Sequence, residues 1–355
     1  MIPPEHSDCT VVGASFGGLA CANALAHAGL AVTVLEKRAD VGEKLHTTGI
    51  LVREAVDEIR LLEGLPPGLV RRVDGVRLYA PNLRSVDLDA PGYYFLATDT
   101  PGVMRWLAAK AQAAGARIRY ATPFRDAERV PDGFRLHGDL GTTRFLVGAD
   151  GPNSQVARAF KLGSSSKFLA GIEHEYPDVA IDAPDRLHCF IDRKLMPGYI
   201  GWVVQGVGAV QAGLARRLRG GDGAEVKRSM SRFLDKIAGL FDLRAGDPRA
   251  VRAGLIPCGG LVRPLAANRV LLVGDAAGMV SPVTAGGIHT ALKHGDAAGQ
   301  AIAAFLSGRA EEPQVSFVRT YPSFRAKRLL RFLFDHFQSD AAFNIALATK
   351  PMRLA

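Results

Sequence analysis

The stretch Cys9-Thr10-Val11-Val12-Gly13-Ala14-Ser15-Phe16-Gly17-Gly18 decides the fold. It runs on through the Ala- and Leu-rich segment Leu19–His27 to Gly29, and then to Ala31-Val32-Thr33-Val34-Leu35-Glu36. Read in order this is a buried strand, a Gly-rich turn, a helix stopped by glycine, and a second strand ending in an acid. That succession is the dinucleotide-binding βαβ unit of a doubly wound α/β sheet. Gly13 permits the tight turn, and Gly18 lets the helix pack close to the sheet. The amides of Phe16 and Gly17, at the positive end of the helix, suit a pyrophosphate. Glu36, with Lys37 beside it, stands 23 residues after Gly13, where a carboxylate would accept ribose hydroxyls. The usual central glycine is Ser15, which narrows the backbone approach but brings a hydroxyl that can bond a phosphate.

The rest of the chain fits a soluble protein of this kind. Its 355 residues suggest about two domains at roughly 150 residues each. They are 48% hydrophobic and 22% charged, which argues against disorder or a coiled coil. The net charge of +9 suits an anionic partner: nucleic acid, a membrane surface or an anionic ligand. Cys9, Cys21, Cys189 and Cys258 are scattered and form no CxxC pair, so neither a disulfide framework nor a metal site is expected. No apolar run reaches the length of about 20 residues that a spanning helix needs. Met1–Asp8 carries no basic-then-apolar leader, so a cytoplasmic location is expected.

Two later segments repeat the strand-then-turn pattern. Arg144–Gly148 leads into Ala149-Asp150-Gly151, and Arg269–Val273 leads into Gly274-Asp275-Ala276-Ala277-Gly278, followed by Pro282 and Gly286-Gly287-Ile288. Together with the first motif, in this order, they resemble the flavoproteins of the p-hydroxybenzoate hydroxylase type. The resemblance spans about residues 8 to 308. It implies that the first motif binds the ADP part of FAD and that Asp275 contacts the ribityl and pyrophosphate region. It further implies that Pro282, Gly286, Gly287 and Ile288 lie against the flavin ring, and that Asp150 supports the pocket. Arg105, on a helix starting after Asp99-Thr100-Pro101, would face the FAD as basic residues of that helix often do; a solvated helix charge is the rival reading.

Within that family, Gly278 and the run Met279–Ile288 look like the geranylgeranyl reductase branch. Pro197-Gly198-Tyr199-Ile200-Gly201-Trp202-Val203-Val204 is a partial match to that branch's Tyr-x-Trp-x-Phe-Pro signature, with Ile200, Val204 and Gln205 departing from it. Thr47 or Thr48, in Gly42–Ile50, takes the place of that branch's Cys-Gly cysteine. A halogenase signature is absent, since Trp106 and Trp202 are the only tryptophans. The reading is therefore an FAD-dependent oxidoreductase that reduces carbon–carbon double bonds of an apolar, prenyl or polyene-like substrate. NADPH or NADH is the expected electron donor, although no second GxGxxG offers it a separate domain. A flavin-dependent monooxygenase is the alternative, and a flavin-binding protein without turnover a lesser one. No nucleic-acid partner is expected.

Candidate catalytic residues are His46 and His289, as imidazoles able to move a proton, and Trp202 as a pocket wall; each is equally a residue of surface or core. The expected architecture is a Rossmann-type FAD-binding part from residues 1–75, 96–164 and 251–310. An antiparallel β substrate layer comes from 76–95 and 165–250, and a helical segment from 311–355. Within the last, Ser323–Gln338 carries Leu330, Leu333, Phe334 and Phe337 on one stripe with Arg325, Lys327, Arg328 and Arg331. Such a helix can lie on a membrane or dock its apolar stripe on the protein's own core.

Overall fold

A computed structural model describes residues 6–218, 223–243 and 246–348. The expected spans 1–75, 165–250 and 311–355 therefore each include a few positions outside the described residues. Five parallel strands form the first sheet in the order Val270–Leu272, Thr142–Gly148, His6–Val12, Val32–Leu35, Arg117–Arg119. A short antiparallel strand, Ala266–Ala267, lies at one edge, and the hairpin Ala127–Val130/Gly133–Leu136 pairs with Thr142–Gly148. The central strands are buried on both faces, which is why they read as apolar runs rather than alternating ones.

The helix Phe16–His27 begins inside the Gly-rich turn and packs along Ile288–Leu306. Small residues let these two helices approach. A side chain at Gly295 would overlap the Gly17 carbonyl, and one at Gly299 would come within 2.7 Å of the Cys21 carbonyl. A third helix, Thr100–Ala113, starts as the sequence suggests: Asp99 caps it by accepting from the Gly102 amide at 3.2 Å.

The second sheet has seven strands in the order Ala250–Pro257, Phe168–Tyr176, Val210–Arg217, Gly201–Gln205, Arg186–Phe190, Gly75–Tyr79, Ser85–Leu88. All neighbours are antiparallel except Arg186–Phe190 with Gly75–Tyr79. The strand Ala250–Pro257 straddles the expected boundary at 250/251 and is hydrogen-bonded along its whole length to Phe168–Tyr176. Ile50–Val52, Phe95–Thr98 and Val70–Val73 form a small third sheet, with Gly75–Tyr79 and Ser85–Leu88 of the second sheet interposed in sequence between Val70–Val73 and Phe95–Thr98.

Residues 223–237, within the span read as a β layer, form a helix. Val226, Met230, Phe233, Leu234 and Ile237 recur at helical spacing and cover one face of the second sheet, against Ile172, Val203, Ala212 and Leu214. By the two-residue alternation of strands, the other face carries Leu169, Gly171, Glu173, Glu175, Gln211, Gly213, Ala215 and Trp202. That face looks toward the dinucleotide-binding part: Gln211 donates to the Thr98 carbonyl at 3.4 Å, and Ala285 packs on the same buried cluster as Trp202. Among the described residues no helix is long and apolar enough to cross a membrane.

Candidate functional site

The three sequence motifs meet at the carboxyl ends of adjacent parallel strands, where ligands of doubly wound sheets bind. Backbone hydrogen bonds join them in a row: Gly13 to Leu35 at 2.8 Å, Ala149 to Val12 at 2.8 Å, and Val273 to Gly148 at 2.9 Å. Gly13 has φ of +101°, and a Cβ there would stand 2.5 Å from the Ala149 carbonyl oxygen. A Cβ on Gly18 would overlap the Gly13 carbonyl, so the helix sits directly against the turn.

Ser15 is the helix cap. Its hydroxyl accepts from the Gly18 amide at 3.3 Å and donates to the Ala149 carbonyl at 2.9 Å. Its single proton is thereby committed to the neighbouring motif rather than to a phosphate. The amides of Phe16 and Gly17 meet no acceptor among the described residues. Glu36 is buried, and its two oxygens accept from the Ala14 amide at 2.9 Å and the Arg38 amide at 3.0 Å. The carboxylate thus holds the Gly-rich turn and its own strand end in one piece. Lys37 is exposed.

Asp150 caps the short helix Gln155–Ala159, accepting from the Gln155 amide at 2.6 Å and the Val156 amide at 3.3 Å. Its Oδ1 is buried with no partner among the described residues, and burial pushes the carboxyl up. Asp275 follows the strand Val270–Leu272, and burial pushes its carboxyl up to about 6. A Cβ on Gly287 would lie 3.6 Å from Asp275 Oδ1, so the Gly286-Gly287 turn passes over this acid. The turn from Ser281 is closed by the Ser281 amide donating to Gly286 at 3.1 Å, and it delivers the chain into the helix Ile288–Leu306. Because Gly17 packs on Ala291, this helix start stands beside the start of Phe16–His27, and two positive dipole ends share one region. Gly278, at φ +69°, lies so close to the Gly260 carbonyl that any side chain would overlap it.

The remaining sequence candidates fall into three places. Arg105 is ion-paired with Asp40 and lies over Gly42, and that pairing holds the Asp40 carboxyl below its usual range. His289 bonds Glu58 at 3.3 Å on the outer side of its helix. His46 and Trp202 are both on the second sheet's inner face. His46 packs over Gly254 and its Nδ1 bonds the Ala253 carbonyl at 2.6 Å. The Trp202 ring lies over Gly213, where a Cβ would come within 2.5 Å of it, and its Nε1 donates to Glu173 Oε2 at 2.9 Å.

Sequence reading missed that acid and its ion-pair partner Arg252. Glu173 and Glu175 are 3% and 6% exposed, and both pair with Arg252. Two carboxylates spaced by two residues on a strand were the available signal, since they must share a face. Beside them Leu169, Ala215 and Cys258 are buried, with Tyr199, Trp202, Ile256 and Ala285 packed against them. This apolar wall joins the second sheet to the turn that precedes Gly286. An open groove of about 590 Å³ lies on the opposite face, between Ile172, Tyr176, Met230 and Leu234, away from the three motifs.

Helix-start amides with no acceptor among the described residues, an orphaned Asp150 oxygen, a raised Asp275 carboxyl under the Gly286-Gly287 turn and a Gly-rich turn that tolerates no side chain at Gly13 or Gly18 together fit a dinucleotide with a hydroxylated chain. Residues 6–332 match the FAD binding domain family. The chain belongs to that family. It is an FAD-dependent oxidoreductase. It is 30% identical to a digeranylgeranylglycerophospholipid reductase from Methanothrix thermoacetophila, over 84% of this chain and 78% of that one. Among solved structures it is similar to a geranylgeranyl bacteriochlorophyll reductase-like protein from Thermoplasma acidophilum. That match has a TM-score of 0.85, 20% identity, and covers 99% of this chain and 95% of the other. A probable FAD-dependent monooxygenase from Pseudomonas aeruginosa shares the fold at a TM-score of 0.73 and 18% identity, covering 96% of this chain and 100% of that one. The flavoprotein fold is therefore common to both chemistries, and the choice between them rests on the site.

Proposed function

We propose that the protein reduces carbon–carbon double bonds in an apolar prenyl or polyene-like chain. The half-buried Tyr199, Trp202 and Ile256, which pack on the buried Leu169 and Ala215 beside the Gly286 turn, carry this reading. Their remaining apolar surface stands beside the place where the flavin ring would lie, and the relatives named for prenyl-lipid reduction support it. Bound FAD supplies the chemistry of hydride transfer. Gly13, Ser15–Gly18 and Glu36 would hold its ADP part, Asp150 and Asp275 its hydroxylated chain, and Pro282 and Gly286–Ile288 its ring. Trp202 and Tyr199 orient the alkene and exclude water. NADPH or NADH is the electron donor in this reading, and the second sheet with its helix is the substrate layer.

The C-terminal segment suits a lipid substrate. Of the expected stripe on the helix Arg325–Phe337, Leu330 and Leu333 are 54% and 43% exposed, Phe334 is half-buried with its ring near Phe343, and the Phe337 side chain lies outside the described residues; Leu329 and Phe332 beside them are 62% and 53% exposed, while Arg331 is buried and donates to the Pro282 carbonyl at 3.4 Å. With Arg325, Lys327 and Arg328 also exposed, this helix would lie on an anionic membrane.

The test is anaerobic. Photoreduced enzyme is mixed with geranylgeranyl and shorter prenyl compounds, and flavin reoxidation and product mass are followed. Reoxidation with a product heavier by two hydrogens is the expected result. Reoxidation by no alkene, with hydroxylated product formed only in O2, would overturn the reading.

A further inference from the structure

The helix Arg325–Phe337 turns its leucines outward and buries Arg331, the reverse of how an amphipathic helix docks on a core. Phe324, Arg331 and Gln338 follow one another at seven-residue intervals. Seven residues make about two helical turns, so the three share one side of the helix, and all three are buried. The two polar members reach different parts of the molecule. Arg331 donates to the Pro282 carbonyl at 3.4 Å, in the turn that leads to Gly286. Gln338 Oε1 accepts from the Gly198 amide at 3.0 Å, in the turn that carries Tyr199. At a rise of about 1.5 Å per residue, the two contacts stand roughly 10 Å apart along the helix.

The two turns also meet each other, because the Tyr199 hydroxyl donates to the Thr284 carbonyl. From Gln338 onward the segment is fastened to the second sheet and its loops. The Gln338 carbonyl accepts from Arg193 Nη1 at 2.9 Å, Asp340 Oδ1 from the Arg193 amide at 2.8 Å and Asn344 Oδ1 from the Asn82 amide at 3.0 Å. Leu347 is buried with Ala80 and Val86. The same helix thus grips the Pro282 turn at its middle and the second sheet at its end. Docking through leucines would hold the helix down without fixing its register, since apolar burial has no direction. Donor–acceptor pairs fix both distance and angle.

We infer that Arg331 and Gln338 are positioning residues for the flavin reaction: through one helix they set the gap between the Pro282 turn and the Gly198–Tyr199 turn. The inference rests on the reading above, in which the flavin ring lies against Pro282–Ile288 and the alkene against Tyr199 and Trp202. The two reactants are then held by different parts of the fold, and the helix is a brace across them. Reacting atoms must stand about 3–3.5 Å apart, and a misplacement of about 1 Å can cost roughly 10²-fold in rate. Both residues act through the backbone of the turn they hold.

The experiment uses holoenzyme and a short, water-soluble prenyl compound, so that membrane contact plays no part. Arg331→Leu removes the donor to Pro282, and Arg331→Lys keeps one. Gln338→Leu removes the acceptor of the Gly198 amide, and Gln338→Glu keeps one. Each leucine variant should reoxidise about tenfold or more slowly at saturating alkene, with its half-saturating concentration little changed. Reoxidation by O2, which needs no alignment with the wall, should match the parent. The lysine and glutamate variants should recover most of the rate. The double leucine variant should lose little more than the slower single one, because the two contacts belong to one brace. The visible circular dichroism of bound FAD reads the Pro282 turn without substrate; Arg331→Leu should alter it and Arg331→Lys restore it. Saturated rates per bound flavin within about threefold of the parent in both leucine variants would overturn the inference, whatever their melting temperatures. So would a loss confined to the half-saturating concentration. Should Arg331→Leu not fold, Gln338→Leu decides between the same outcomes. Parent enzyme that no alkene reoxidises would defeat the double-bond reading; the brace is then judged by the dichroism, and an unchanged signal in Arg331→Leu would overturn it too.

Discussion

The Ser15 hydroxyl donates to the Ala149 carbonyl at 2.9 Å while accepting from the Gly18 amide at 3.3 Å, so one side chain caps the first helix and ties the first motif to the second. Ser15→Ala loses both bonds and should cost about 1 kcal/mol of stability. Ser15→Gly, which restores the commoner residue, should cost only a few tenths of that as a cap, about the difference a flexible turn makes. Thermal unfolding of the two apoproteins checks the order. If the hydroxyl instead served the phosphate, both variants would lose FAD affinity equally while unfolding like the parent.

Glu36 is buried against the two amides it accepts from, those of Ala14 and Arg38. Glu36→Ala leaves both without a partner and removes the ribose acceptor. Hydrogen bonds to a charged group are worth about 1.5–3 kcal/mol, so FAD dissociation constants should rise roughly ten- to a hundredfold. Fluorescence titration of apoprotein with FAD measures this. An unchanged dissociation constant would limit Glu36 to shaping the turn.

How much of this was legible beforehand depended on how local the signal was. The βαβ unit was readable because Gly13, Gly18 and Glu36 each answer a backbone demand inside one short stretch. The rows that join it to Ala149 and Val273 were readable only through motif order, since hydrogen bonds between distant strands leave no mark on spacing. Arg331 shows the opposite case. The helix around it is amphipathic in sequence, and pattern alone left open which side faces inward; the structure buries the arginine and exposes Leu329 and Leu333. Glu173 was missed because a charged residue in a strand reads as solvent-facing, and its partner Arg252 is 79 residues away.

Asp275 gives a pH test. Its carboxyl is raised from an ordinary 3.8 to about 6 in the folded protein. Between those values the folded state binds the proton more tightly than the unfolded one, so stability falls as pH rises from about 4 to about 6 and then levels. The fall is ~2–3 kcal/mol at most, from the size of the shift. Asp275→Asn should flatten that part of the apoprotein's stability curve. A hydroxyl donating to the carboxylate favours the ionised form, so FAD should bind the parent more tightly as pH rises through 6, and the variant with little change. Equal pH dependence in both proteins would remove Asp275 from the cofactor's contacts.

Trp202 lies over Gly213, and no Cβ fits beneath it. Gly213→Ala must push the indole off the sheet, into the apolar wall beside Tyr199 and Ala285. Turnover of a long prenyl substrate should fall severalfold or more, while FAD content stays at the parent's level. Trp202→Ala should do the same by removing the wall. Loss of FAD in either variant, with turnover per bound flavin unchanged, would make the ring part of the structural core alone.

The exposed faces of the last helices set the final prediction. Leu329, Leu330, Phe332 and Leu333 are joined by Ile345 of the following helix, Asp340–Ala346, which is 67% exposed. Exposed apolar side chains of this number beside Arg325, Lys327 and Arg328 combine the two attractions of an interfacial helix, apolar burial and charge. The protein should sediment with vesicles containing anionic lipid and much less with purely zwitterionic ones. Added salt should weaken the charge contribution because the screening length shortens from about 10 Å at 0.1 M to about 3 Å at 1 M. Leu329→Asp with Leu333→Asp should release the protein from anionic vesicles while leaving reduction of a short, water-soluble alkene unaffected. Exposed positions tolerate such changes with little loss of stability, so unfolding should match the parent. Binding that survives the double substitution, or that ignores both lipid charge and salt, would show that this helix does not hold the membrane.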